Sequence, residues 1–156
     1  MKNREWTLIA GIVVSVIFST IIYFNYGHSS SVACLSNLRI VKKESELKLL
    51  ISYSLQDSSG LVTLSGTFFE QDKAIGTINR SATFRYTKNN DVYTLRSIDV
   101  ARSGSDNVDK TVLSQFLPGF YLKENSSMIM TIKPQKKNGW IFSMGKVPSF
   151  YCEKNS

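Results

Sequence analysis

From residue 7 to residue 24 the chain carries no charged side chain. Those eighteen residues, at about 1.5 Å of helical rise each, span roughly 27 Å, close to the hydrocarbon thickness of a bilayer. Ahead of them stand only residues 1–6, with Lys2 and Arg4, and no further lysine or arginine appears until Arg39. The positive-inside bias therefore predicts a cytoplasmic tail at 1–6, a membrane anchor at 7–24, a linker at 25–33 and an exported domain at 34–156. Trp6, Tyr23 and Tyr26 fall where interfacial aromatic residues sit.

A cleaved signal peptide shares the charged start and the apolar run. Polar Asn25, Tyr26, Gly27, His28 and three serines separate that run from Val32-Ala33-Cys34, however, so an uncleaved anchor fits better. A lipid-modified Cys34 fits poorly too, because Ser31 stands where a large aliphatic residue belongs.

Cys34 and Cys152 bracket nearly everything after the anchor. Outside the cytosol such a pair is expected to form a disulfide, holding the last strand beside the first residues of the domain. Neither cysteine has the close spacing of a redox-active pair.

The exported part is of single-domain size and reads mainly as strands. Leu47, Leu49, Ile51 and Tyr53 alternate with Lys48, Leu50, Ser52 and Ser54 before a turn at Asp57-Ser58-Ser59-Gly60. Further strands are expected at 35–41, 61–69, 75–86, 92–101, 128–133, 140–144 and 149–151. Asn89-Asn90-Asp91 and Lys137-Asn138-Gly139 supply turns. Between them, Val108, Val112, Leu113, Phe116 and Leu117 recur at helical spacing, which predicts one amphipathic helix over 106–117, capped by Asp106 or Asn107 and ended by Pro118-Gly119. The expected fold is mainly β (α+β): an N-terminal transmembrane helix, then an antiparallel β-meander or partial barrel whose mouth or face the helix closes.

Catalytic chemistry is hard to assemble from these residues. His28 is the sole histidine and lies in the linker, so neither a zinc site nor a Ser-His-Asp triad can form around it. Asp57, Asp72, Asp91, Asp99, Asp106 and Asp109 fall mostly at turns or helix starts. Gly60, Gly66 and Gly76 lie in or beside strands and build no phosphate loop. The expectation is a non-enzyme without cofactor or metal.

The net charge of +7 is spread along the chain, with Lys133, Lys136 and Lys137 as its densest group. Nucleic acid is absent from the exported side, so the charge is expected to serve solubility, anionic membrane lipid or an acidic protein partner. Asn79-Arg80-Ser81 and Asn125-Ser126-Ser127 are sequons of the kind that arise by chance. In the anchor, Gly11, Ser15 and Ser19 recur every four residues and would let a second helix pack closely.

Several motifs recur in an order that resembles the FidL-like membrane proteins of enteric bacteria. They are Gly66-Thr67, Asn79-Arg80 leading into Phe84-Arg85-Tyr86, Asp106-Asn107-Val108, Phe116 to Tyr121, and the ending Val147-Pro148-Ser149-Phe150-Tyr151-Cys152. That layout is in turn similar to the ToxS, MyfF and PsaF group of inner-membrane companions. The resemblance implies a periplasmic domain that binds and stabilises a membrane-bound ToxR-like transcription regulator, modulating virulence or fimbrial genes. It also implies that a lipocalin-like barrel completed with the partner can hold a small lipophilic ligand such as a bile salt. An assembly factor for surface fibres, using an exposed strand edge, is the alternative from another functional class.

Overall fold

Alternation of apolar and polar residues with period two builds this protein into a wall with an inside and an outside. The computed structural model describes residues 15–20, 31–136, 138–145 and 147–155. The expected tail at 1–6, most of the expected anchor and residues 25–30 of the linker lie outside the described residues, while Val32 and Ala33, expected in the linker, already belong to the first strand. Residues 15–20 are helical, and among the described residues no helix is long and apolar enough to cross a membrane. Residues 31–156 form one compact unit and residues 1–30 another.

Eight strands follow one another: β1 (Val32–Lys42), β2 (Ser45–Gln56), β3 (Ser59–Glu70), β4 (Lys73–Asn89), β5 (Val92–Arg102), β6 (Ser127–Gln135), β7 (Gly139–Met144) and β8 (Val147–Lys154). Each pairs antiparallel with the next, and β8 returns to β1, so the meander is a closed barrel. The expectation of a partial barrel is corrected on this point. Closure rests on Cys34 opposite Lys154 and Leu35 opposite Glu153, two positions that lie at the far ends of the sequence.

Leu47, Leu49, Ile51, Tyr53 and Leu55 of β2 face the interior, while Lys48, Leu50 and Ser54 face outward. Val62 and Leu64 of β3, Ile78, Ala82 and Phe84 of β4, Tyr93 and Leu95 of β5 and Met128, Met130 and Ile132 of β6 repeat the pattern. The inside is apolar, and the outside mixes lysine, serine and threonine with apolar residues such as Leu50, Leu61, Ile98 and Ile129. At eight strands the interior is just wide enough for side chains to fill. Aromatic rings do so here: Tyr53 lies 4.9 Å from Phe142, Phe142 4.9 Å from Phe150, and Phe84 5.4 Å from Phe120.

Local chemistry sets the corners. Asp57 and Ser58 join β2 to β3, and Gln71 and Asp72 join β3 to β4, all four at positive φ. Two-residue loops of this handedness match the twist of the strands they join. Extra residues at Ile75, Ile98 and Ser149 interrupt the register and bend the wall. At Gly66 the wall turns so tightly that a Cβ would stand 2.0 Å from the Lys48 carbonyl oxygen, a backbone atom that cannot move aside.

The long β5–β6 connection covers the end of the barrel remote from Val32 and Lys154. Its regular helix is α1 (Lys110–Leu113), with Asp109 as the N-cap accepting from Thr111 N at 2.6 Å. The helix expected over 106–117 is thus shortened, and its expected cap at Asp106 or Asn107 is corrected. Asn107 is held extended beside β4, where its Oδ1 accepts from Thr77 N at 2.7 Å and its N–H donates to Thr77 O at 3.1 Å. The apolar spacing still works, since Val108, Leu113 and Leu117 are buried. A 3₁₀ turn at Gly119–Tyr121 follows and packs on β4, β5 and β6, so that Phe120 and Tyr121 plug the interior.

Candidate functional site

The most distinctive place in the wall is the seam where β1 meets β8. Other neighbouring strands pair over five to twelve positions, whereas the β8 side of β1 carries register pairs only at Cys34 and Leu35 among the described residues. A 2.6 Å bond from Ser36 Oγ to Tyr151 O extends the contact by one residue. Beyond it the strands part. The inward residues of β1 record the opening, for Val32, Cys34 and Ser36 are buried while Leu38 and Ile40 are half-buried.

The gap is an apolar cavity of about 190 Å³, bounded by Leu38 and Ile40 on one side and Phe150 on the other, with Phe116, Leu117 and Tyr121 closing its inner end. Lys42 Nζ donates to Gln115 O and ties the end of β1 to this inner segment. The seam therefore offers a stretch of strand edge over 37–42 beside an apolar slot. Such a combination binds extended peptide, with main-chain bonds giving affinity and the slot accepting an apolar side chain.

At the base of the slot the phenols of Tyr53 and Tyr121 are hydrogen-bonded to each other and buried. Burial pushes both above the ordinary tyrosine value, Tyr121 to about 12. Because the folded state holds these protons more tightly than the unfolded chain, their contribution is intact below about pH 10 and falls as pH rises further. Removing one hydroxyl, in Tyr53→Phe or Tyr121→Phe, leaves the other without its partner and is expected to cost about 1–3 kcal/mol. The double replacement is expected to recover most of that loss in urea unfolding. A double loss equal to the sum of the two single losses would mean that the two hydroxyls do not depend on each other.

The disulfide expected between Cys34 and Cys152 is present, with Cα atoms 5.4 Å apart and both residues fully buried. It joins β1 to β8 beside the two register pairs, so the covalent link lies at the narrowest part of the barrel closure. The expected small-residue face of the anchor is described in part. Ser15 and Ser19 lie one turn apart on a helical stretch, with Ser19 Oγ donating to Ser15 O at 2.8 Å. Gly11 and His28 lie outside the described residues. Among the described residues no group of three histidine, cysteine or acidic side chains is close enough to hold a metal ion.

One constellation escaped the sequence reading. Arg80, inward-facing on β4, is buried and grips Asp106 with two hydrogen bonds, Nε to Oδ2 at 2.7 Å and Nη2 to Oδ1 at 2.9 Å. Arg102 Nε reaches Oδ1 at 3.0 Å, and Asn79 N donates to Oδ2 at 3.0 Å. Asp106, expected at a helix start, thus clamps the β5–β6 connection onto the wall. The signal was available, because Arg80 stands in the apolar phase of a strand between Ile78 and Ala82. A charge in that phase demands a buried partner.

Comparison with known proteins gives the family. The model of the YqeJ C-terminal domain matches residues 31–152, from just before β1 to Cys152. The chain belongs to the YqeJ C-terminal domain family. A curated relative described as "Uncharacterized protein YqeJ", from Escherichia coli (strain K12), is 28% identical over 124 residues, which is 78% of each chain. No solved structure matches. The matched region takes in both cysteines and the residues lining the apolar slot, and stops just short of Glu153 and Lys154, the β8 partners of Leu35 and Cys34.

Proposed function

We propose that this protein is a non-enzymatic, single-pass inner-membrane protein whose periplasmic barrel binds and stabilises a membrane-bound ToxR-like transcription regulator, and so modulates virulence or fimbrial gene expression. The observation that carries the reading is the seam: strand edge at 37–42 beside an apolar slot. The uncharged run at 7–24, the disulfide of an oxidising compartment and the likeness to FidL-like proteins and the ToxS, MyfF and PsaF group support the membrane and periplasmic parts of it. The anchor, with Ser15 and Ser19 on one face, adds a second contact through the partner's own transmembrane helix.

The size of the slot separates this reading from a lipophilic-ligand sensor. Pockets for drug-sized ligands run from about 300 to 1,000 Å³, so a slot of about 190 Å³ suits one or two side chains of a partner strand better than a bile salt. A fibre-assembly factor would use the same edge, and the nature of the captured partner separates the two. Co-expression with a ToxR-like regulator is expected to lengthen that regulator's half-life under periplasmic proteolysis several-fold. An unchanged half-life would remove the companion reading.

A further inference from the structure

Strands β4 and β5 place arginine directly opposite arginine twice, Arg80 opposite Arg102 and Arg85 opposite Arg96. Like charges facing each other across a ladder are destabilising. At the first pair the Asp106 carboxylate lies between the two guanidinium groups and accepts from both. At the second, neither Arg85 nor Arg96 pairs with a carboxylate among the described residues. Both are exposed on the outer wall, where with Asn125 and Ile98 they line a cleft of about 420 Å³.

The cleft is held in shape from behind. Arg96 Nη2 donates to Asn125 Oδ1 at 3.3 Å, which orients the guanidinium. Asn125, at positive φ, is fixed by its own N–H donating to Ser97 O at 3.0 Å. The buried Ser97 hydroxyl donates to Lys123 O at 2.8 Å and accepts from Ser126 N at 3.0 Å. Two planar forks, that of Arg96 oriented by Asn125, match a group with three or more charged oxygens.

We infer that Arg85 and Arg96 bind a phosphate-type oxyanion, which takes between them the place that Asp106 takes between Arg80 and Arg102. The group is a phosphate monoester or inorganic phosphate, carried on a lipid headgroup or free in solution. This inference is independent of the companion reading, since the cleft lies on β4 and β5, away from the seam of β1 and β8.

The test is calorimetric titration of the full chain in a neutral detergent, with inorganic phosphate and then with dihexanoyl phosphatidic acid, each against sodium chloride at matched ionic strength. Binding is expected for phosphate and to weaken at least tenfold in Arg85→Gln and in Arg96→Gln, with Arg85→Lys in between. Tighter binding of the short-chain lipid identifies a headgroup as the source, and equal binding identifies free phosphate; both support the site. Heats matched by chloride, or unchanged in the double glutamine variant, overturn it. Without phosphate, the double variant is expected to melt at the same temperature or higher, because a repulsion has been removed. A lower melting temperature would assign the arginines to the fold instead and likewise overturn the site.

Discussion

Replacing Cys34 and Cys152 by serine is expected to lower the thermal midpoint of the barrel by on the order of 15 °C, equivalent to about 4 to 5 kcal/mol. The bond joins residues 118 apart in sequence, and in the chain-entropy account closing so long a loop removes a large part of the freedom of the unfolded chain. Domains of this size are stable by only about 5–15 kcal/mol in total, so the variant stands near the limit of folding. The damage is also expected to be local, because the Cys34–Lys154 and Leu35–Glu153 pairs, with the Ser36–Tyr151 and Asn155–Ala33 hydrogen bonds, would then have to hold β1 to β8. Hydrogen exchange should show β8 amides opening first, with the long β2–β3–β4 ladders still protected. A midpoint within about 3 °C of the parent protein would mean that the seam closes without the bond.

Asp106→Ala is expected to cost about 3–5 kcal/mol, because it leaves the Arg80 guanidinium buried without its counter-charge. Removing both charges together, in Arg80→Met with Asp106→Leu, is expected to cost less than the single change. That order would contradict a simple sum of lost contacts. The pair also has a pH signature. Burial pushes the Asp106 carboxyl up, but the hydrogen bonds from Arg80 and Asn79 and the charges of Arg80 and Arg102 outweigh it and hold the group below the ordinary aspartate value. As pH falls, the unfolded chain takes up this proton first. The contribution is therefore intact above about pH 5 and is lost as pH drops through the ordinary aspartate value of about 3.9 toward the lower folded one. Urea midpoints at pH 7 and pH 3 should converge between parent and Asp106→Ala. A difference that stays constant across that range would contradict the ionic account.

How far these features could be read in advance depends on how local they are. The eight strands were legible because a half-buried strand writes its pattern into neighbouring residues, as Leu47, Leu49, Ile51 and Tyr53 do. Closure was not, because two register pairs between the first and last strands leave no period in the sequence. The cysteines alone hinted that these strands meet. The helix was overextended because Val108, Leu113 and Leu117 keep helical spacing, while Asp106 and Asn107 are claimed by Arg80 and Thr77. The slot at the seam comes from where β1 and β8 part, a matter of strand divergence that residue types do not encode.

Photocrosslinking in living cells from Ile40, at the rim of the seam, tests the central claim most directly, with Thr94 on the outer face of β5 as the control position. A single-pass membrane regulator with a cytoplasmic DNA-binding domain, captured from Ile40 and not from Thr94, is the predicted result. Capture of fibre subunits instead, or equal capture from both positions, would contradict the account.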